Sequence, residues 1–276
     1  MLEVHRTYRA KIRNHSQVEE SLDRHGWSAS KLWNVANYHS REVWDETGEI
    51  PDHGDLKDEL KTHNKYKGLH SQSSQRVLEE LAEAFNSWYS SDDDRDNPPG
   101  YRKENYCDDE GRRVHEEHPR STVTWKQNGI RHDTKNNRVR LSKGANHKEH
   151  PKAWEYILVE YEIRPGVEVE NLQQVRAVYD QAKERWELHL VCKDEVETPT
   201  APGTETAGID LGISNFAAVA YSTEDADLYP GNRLKQDGYY FPKEIAKSDD
   251  SGGERATHFH AKWSERRTHF FHSLAK

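Results

Sequence analysis

The chain is poor in cysteine, in apolar residues and in net positive charge. Its two cysteines, Cys107 and Cys192, stand far apart in 276 residues and form no C-x-x-C pair. That excludes a disulfide framework, and it excludes within these residues a zinc ribbon, which needs two such pairs. No run of about 18 apolar residues occurs, so there is no candidate transmembrane helix. The opening MLEVHRTYRAKIRN lacks the apolar stretch of a secretory signal. The expectation is a cytoplasmic protein with no membrane partner. Lys and Arg number 40 against 49 Asp and Glu, a net charge of −9. A nucleic-acid binder usually carries a basic footprint. One can still bind if positive charge is gathered locally, or if the protein works in high salt, where the Debye length falls to about 3 Å at 1 M. With 33% apolar and 32% charged residues, the surface fits a salt-adapted cytoplasm, and equally an ordinary acidic enzyme.

Periodicity sorts the chain into regions. Leu2, Val4, Tyr8, Ala10 and Ile12 alternate with a face carrying Arg9, Lys11 and Arg13, which reads as a half-buried strand interrupted by Arg6. From Ser16 the period turns helical: Leu32, Val35, Ala36, His39 and Val43 share a face, and Gly48 is a stop. In HSQSSQRVLEELAEAFNSWYS, Val77, Leu78, Leu81, Phe85, Trp88 and Tyr89 form an apolar stripe, with Ser71, Ser73 or Ser74 as the cap. SSDDDRDNPPG then breaks the pattern. From Arg120 the chain reads as strands: STVTW, NRVRLS after the turn DTKNN, the long WEYILVEYEI, and a hairpin in which Trp186, Leu188, Leu190 and Cys192 alternate. EVETPTAPGTET is a linker. Two short apolar runs follow within 207–221, then a polar, Gly-rich stretch, then a helix from Glu254 to Ala275 with Ala256, Phe259, Trp263, Phe270 and Leu274 on one side. A first strand whose partners lie beyond residue 120 implies an α+β multidomain chain, with a β-barrel interrupted by a helical insertion and a second α/β region.

GIDLGISNFAAVA carries one carboxylate, Asp210, inside a strand–turn–strand pattern. A lone charge in a strand is costly to bury unless a positive group meets it. Three readings fit. In RNase H-like nucleases such an aspartate holds Mg²⁺ that activates water and stabilises a leaving phosphodiester oxygen. In actin- and sugar-kinase-like phosphotransferases a similar hairpin approaches ATP phosphates and Mg²⁺, although there a hydroxyl pair follows the glycine, where this chain has Ile213, Ser214 and Asn215. In the third, the aspartate makes a turn hydrogen bond. Glu224, Asp225 and Asp227 lie in STEDADLYPGN, which reads as a loop and is a poor source of further metal ligands. His258, His260, His269 and His272 suit Zn²⁺ by chemistry, but they cannot all share one helical face.

Four segments in order resemble the TnpB family, the OrfB-type proteins of insertion sequences. GIDLGISNFAAVA is similar to the family's first RuvC motif. SSQRVLEELAEAFNSWY resembles its S-x-x-x-Q-x-x-L-x-x-A-F helix through Ser71, Gln75, Leu81, Ala84 and Phe85. PPGYRKE resembles its P-x-[F/Y]-[K/R] segment through Pro99, Tyr101, Arg102 and Lys103. HAKWSERRTHFFHSLAK resembles the basic helix before the second RuvC motif. The resemblance implies a transposon-encoded, RNA-guided, Mg²⁺-dependent DNA endonuclease, a compact relative of type V CRISPR effectors. It implies a wedge-like barrel from 1–15 and 113–197, a helical recognition insert at 16–112, a linker at 198–206, and the first part of an RNase H-like RuvC domain at 203–276. Its partners are then a guide RNA from its own locus and a double-stranded DNA target with a short flanking motif. Asp210 becomes the first catalytic metal ligand. Ser71 and Gln75 become DNA contacts, a role that capping and surface polarity rival. Arg102 and Lys103 become backbone contacts, rivalled by a solvated charge pair. The family's later RuvC glutamate and aspartate, and its zinc ribbon with Zn²⁺, are expected beyond Lys276, so the 276 residues alone are expected not to cut DNA. A catalytically inactive remnant that still binds guide RNA and DNA stays open beside this. The acidic balance suggests a haloarchaeal member.

Overall fold

A computed structural model describes residues 2–91, 96–102, 106–107, 113–114, 119–149, 155–181, 183–197, 203–212, 214–249 and 254–275. The chain divides into two compact units. The first is Met1–Asp180 with Arg185–Val196, and the second is Gln181–Glu184 with Glu197–Lys276.

The first unit runs β1 (Leu2–Ile12), α1 (His15–Thr47), α2 (His53–Leu60) and α3 (Ser71–Tyr89), then two-residue strands β2 (Tyr106–Cys107) and β3 (Arg113–Val114). It continues with β4 (Val123–Lys126), β5 (Ile130–Asp133), β6 (Arg138–Ser142), β7 (Tyr156–Glu162), β8 (Leu172–Asp180) and β9 (Arg185–Val196). Seven strands form one antiparallel sheet in the order β4-β8-β9-β1-β7-β6-β5. The two edge strands, β4 and β5, are consecutive in the chain and joined only by the turn Gln127–Gly129. The sheet therefore curls until its edges nearly meet, and Trp125 on β4 donates its indole N–H to the Ser142 carbonyl on β6 at 2.9 Å. Such near closure leaves little open edge for pairing with another chain.

β1 sits in the middle of this sheet. It pairs with β9 from Leu2↔Val196 to Lys11↔Glu187, and with β7 at Lys11↔Glu162 and Ile12↔Tyr161. Period-two alternation explains the barrel interior. Trp186, Leu188, Leu190 and Cys192 on β9, Ile157, Val159 and Tyr161 on β7, and Ala10 and Ile12 on β1 are all buried. The amino-terminal half of β1 departs from the expected inward face, and Leu2 is exposed. Leu158 also faces out, so β7 buries one face.

The helices share the barrel's core, with Leu22, Ala29, Leu32, Leu78, Leu81 and Phe85 fully inside it. α1 ends as its sequence predicts, with Gly48 in the left-handed region (φ 75°) and its N–H returned to the Trp44 carbonyl. α3 differs from expectation at both ends. His70, not a serine, is its N-cap, while the Ser74 hydroxyl turns back to the Tyr66 carbonyl at 2.7 Å. Tyr89 is exposed rather than part of the stripe, whereas Trp88 packs edge-on to Trp44 at 4.9 Å. The short helix α2 carries a capping box, Asp52 with Asp55.

A buried node locks helix to barrel. The Asp23 carboxylate on α1 accepts the Trp186 indole N–H at 2.8 Å and two N–H groups of Arg120 at 2.6 and 3.1 Å. Gly26, one turn along α1, lies against the same indole. A Cβ there stands 2.8 and 3.0 Å from two Trp186 ring carbons and 3.2 Å from the Ser121 carbonyl.

The second unit holds β10 (Ala207–Leu211), β11 (Asn215–Tyr221) and β12 (Ala226–Pro230) in one antiparallel sheet, then α4 (Asn232–Asp249) and α5 (Glu254–Leu274). Two expectations fail here. The segment read as a loop contains strand β12, and the polar, Gly-rich stretch is helix α4 despite Gly238 and an internal Pro242. Packing overrides propensity. Phe241 is buried and stacks on Trp263 at 5.9 Å, Tyr240 meets Phe259 edge-on, and Asp237 forms a two-pronged pair with Arg266, both bonds 2.8 Å. The order of these contacts makes α4 and α5 antiparallel. No described helix is long and apolar enough to cross a membrane.

Two outcomes follow for the first unit. Gly→Ala inside a helix ordinarily stabilises by up to about 1 kcal/mol. At Gly26 the sign reverses, because the new methyl group enters a packed indole and a fixed carbonyl, at a cost of about 1–3 kcal/mol. Thermal unfolding followed by circular dichroism checks this, and a Gly26→Ala protein that melts higher refutes it. The second outcome concerns His25, which is buried against the His147 ring at 4.8 Å. Its Nδ1 lies 2.6 Å from the Ser21 carbonyl, and its Nε2 accepts the Gly144 N–H at 3.3 Å. Burial lowers its pKa to about 4. The unfolded chain thus binds the proton first as pH falls, so stability present above about 6.5 drains away down to about 4, by roughly 3 kcal/mol. Urea midpoints across that window should fall with pH, and the fall should be shallower in His25→Gln. An identical acid limb in both proteins assigns the loss elsewhere.

Candidate nucleic-acid and metal site

Asp210 lies on β10, an edge strand exposed along its whole length. Directly opposed residues share a face, so the register Asp210↔Ala218↔Leu228 sets the carboxylate on one side of the sheet. Gly208, Ala220 and Ala226 occupy the next rung of that side. The nearest neighbours on that side, Gly208, Ala218 and Ala220, are small, and Asp210 itself is exposed. The other side carries Ile209, Val219 and Asp227 in one rung and Ala207 and Tyr221 in another. Asp227 therefore points away from Asp210, and its carboxylate accepts the Tyr221 hydroxyl at 2.9 Å. Asp225 receives the Thr223 hydroxyl at 3.4 Å, and Glu224 turns the chain at φ 70° beyond the strands. None of the three joins Asp210.

Among the described residues no group of three His, Cys, Asp or Glu side chains could hold a metal ion. A hard cation such as Mg²⁺ needs several oxygen ligands to displace its waters, and Asp210 alone does not fit a complete site. Zn²⁺ fits no better. Cys192 is buried inside the barrel, and burial pushes its thiol up to about 11, so it is an inert neutral group. The α5 histidines His258, His260, His269 and His272 are exposed and form no cluster.

The other expected contacts divide. Ser71 and Gln75 are one turn apart at the start of α3 and so share a face. Ser71 is exposed, and its carbonyl accepts the Tyr66 hydroxyl at 3.3 Å. Arg102 is engaged within the fold. Its guanidinium stacks 3.8 Å from the centre of the Trp33 ring, with Glu80 at 3.8 Å, and its backbone is clasped by Asn34 through bonds of 2.7 and 2.9 Å. Burial pushes that guanidinium below its ordinary value. Lys103 lies outside the described residues. The PPGYR segment is in fact a strap across α1: Trp33 donates to the Gly100 carbonyl, while Asn37 and Arg41 donate to that of Pro99. Donors at positions 33, 34, 37 and 41 of one helix face are the sequence signal for it.

Missing from the sequence reading is a local concentration of positive charge. Alternation along β5 and β6 turns Arg131 and Arg140 outward, directly opposite each other, and both are exposed.

These placements separate two kinds of residue. Asp210→Asn should leave the melting temperature where it was, because nothing in the fold uses the carboxylate. Arg102→Ala should destabilise by about 1–2 kcal/mol through the lost stacking on Trp33. Melting curves on the two variants check both, and a large loss in Asp210→Asn marks that residue as structural.

Known proteins are similar to this chain. The family model described as "OrfB_IS605: Probable transposase" matches residues 189–276, from within β9 to the end of the chain. The "TnpB-like protein ORF457" of Acidianus two-tailed virus is 25% identical over 260 residues, covering 83% of this chain and 51% of that protein. The chain thus spans about half the length of the curated relative it matches. A solved structure described as "Cryo-EM structure of the Cas12f1-sgRNA-target DNA complex" is similar in fold, with a TM-score of 0.52 at 12% identity, over 94% of this chain and 60% of that one. That likeness is one of architecture: mixed α/β with a nearly closed antiparallel sheet. The transposase match falls on the hairpin that carries Asp210, the TnpB-like relative runs through both units, and the chain is a TnpB-type protein.

Proposed function

We propose that the chain is part of an RNA-guided DNA endonuclease in which the first unit holds guide RNA and Asp210 contributes one carboxylate to a Mg²⁺ site. The observation that carries this reading is Asp210 itself. It is exposed on an open sheet face within the transposase-matched segment, and no structural partner accounts for it. The Cas12f1 relative, bound to an sgRNA and a target DNA, supports the choice of partners. On this reading residues 1–15 and 113–197 are the wedge barrel, 16–112 the recognition insert, 198–206 the linker, and 203–276 a portion of a RuvC-like nuclease. Ser71 and Gln75 face the DNA.

Bound Mg²⁺ supplies Lewis-acid activation of water and stabilises the leaving oxygen of a phosphodiester. Asp210 can hold only part of its coordination shell. No further carboxylate stands with it among the described residues.

Expressed with its own locus, the protein should retain a discrete RNA transcribed there. With that RNA, Mg²⁺ and a plasmid library, the 276 residues should not cut, whereas a form extended through the downstream reading frame should. The extended form should lose cutting in Asp210→Ala. Guided cutting by the 276 residues themselves refutes the account of missing ligands. An extended form that binds RNA and never cuts favours the inactive remnant instead.

A further inference from the structure

The outward surface of β5, β6 and β7 is built from rungs whose charges are treated in opposite ways. In one rung Asp133, Arg138 and Glu160 stand side by side, with Arg138 and Glu160 3.0 Å apart. Acid and base alternate there and neutralise one another. In the adjacent outward rung Arg131, Arg140 and Leu158 stand side by side. Like charges directly opposite one another on a sheet repel, yet neither arginine forms an ion pair among the described residues, and Arg140 feels only the charge of Asp133, which faces Arg138 in the rung beside it. Arg131 donates only to its neighbour's carbonyl, that of Ile130, at 3.1 Å. One rung further, Ser142 pairs with Tyr156. This rung borders a cavity of about 140 Å³ lined by Arg131, Ser142, Tyr156, Lys148, His70 and Asn128, with Glu155 on its wall. Glu155 is engaged by Lys143 at 3.5 Å and by the Glu149 N–H at 3.0 Å. Lys148, like the two arginines, forms no ion pair among the described residues.

In a chain of net charge −9, three cations on one patch, none in an ion pair among the described residues, suit an anionic partner. Beside them are an aromatic ring half open to solvent, Tyr156, and an exposed apolar side chain, Leu158. Cations that track a backbone, next to a ring on which a base can stack, make a surface for unpaired nucleotides. Unstacked bases are presented chiefly by loops and ends of RNA. Resting on the guide-RNA reading above, we infer that this patch, Arg131, Arg140 and Lys148 around Tyr156, binds a single-stranded segment of the RNA. The arginines take successive phosphates and Tyr156 stacks a base.

The probe is a fluorescein-labelled 20-nucleotide oligouridylate, with oligothymidylate and a 20-base-pair RNA duplex as alternatives. Anisotropy titrations of the 276-residue chain are run across a salt series. Arg131→Gln/Arg140→Gln should weaken oligouridylate binding at least tenfold and reduce the slope of log K against log salt by about 1.4, the share of two single-strand phosphates. Tyr156→Leu should weaken it with the slope unchanged. Lys57→Gln/Lys65→Gln, an equal loss of charge at exposed sites elsewhere, should change neither as much. All variants are exposed or half-exposed, and melting curves confirm that they are folded. Wild-type binding that the arginine variant matches overturns the patch while the RNA reading stands. Wild-type protein that binds no RNA overturns both. Tighter binding of oligothymidylate or of the duplex, with the same arginine dependence, overturns the single-stranded RNA assignment.

Discussion

Everything in the first unit depends on where β1 lies. The first strand of the chain is hydrogen-bonded on one side to β9 and on the other to β7, so residues more than 140 positions away complete it on both sides. Two edges would be left if β1 were absent, and the barrel could not close. The intervening residues must therefore leave the barrel after Ile12 and return before Val123, with both ends of the excursion fixed. Helices satisfy that demand because each supplies its own backbone hydrogen bonds and needs only one apolar stripe to dock. α1 and α3 provide the stripes, and the Asp23 carboxylate fastens the excursion to β9 through Trp186. The carboxylate is tolerable in the interior because the indole N–H and the Arg120 guanidinium together satisfy it. A helical lobe and a barrel that share one core move as one body, and binding surfaces on either are held at fixed spacing.

Charge is distributed by the same economy of partners. Several basic side chains of the first unit are paired: Arg9 on β1 with Glu187 and Asp180, Lys126 on β4 with Glu79, and Arg76 on α3 with Glu79, Glu80 and Glu83. Such exposed or partly exposed pairs contribute little stability individually. What they do is cancel the field locally, where each pair stands. Against that background Arg131 and Arg140 form a contrast that net charge cannot reveal, since −9 is a sum over the whole chain. An acidic total and a local cationic patch are compatible, and the acidic remainder discourages indiscriminate binding of polyanions.

Much of the barrel was legible in the sequence because period two and burial coincide there. WELHLVC could only be a strand with Trp186, Leu188, Leu190 and Cys192 inside. Gly48 likewise marked a helix end because a left-handed residue is needed there. The second unit was less legible for two physical reasons. α4 contains Gly238 and Pro242, which disfavour a helix locally, and it is held by Phe241 against Trp263 and Asp237 against Arg266, partners that lie 22 and 29 positions on. β12 is flanked by Asp225 and Gly231, residues of turns, and its pairing with β11 overrides them. At the site, the type of residue at 210 was readable but its setting was not. The sequence does not show that Asp227 occupies the opposite face. Arg102 was readable as a basic residue in a loop, but its stacking on Trp33 was not.

The sheet of the second unit has a consequence for how Asp210 can work. β10 is hydrogen-bonded on one side only, to β11, and Ile209 and Leu211 on one face and Leu228 on the other are all exposed. An edge strand with apolar residues in water is only weakly held, and a carboxylate on it has little to fix its direction. Metal-assisted phosphoryl chemistry demands ligands placed to within a fraction of an ångström. If Asp210 serves the proposed Mg²⁺ site, the neighbours that supply the other ligands must also cover this strand, because a ligand set that left β10 exposed would hold the site too loosely to act. On that proposal assembly of the metal site and covering of the sheet are one event, and the small side chains of Gly208, Ala218 and Ala220 beside Asp210 keep the approach clear for it.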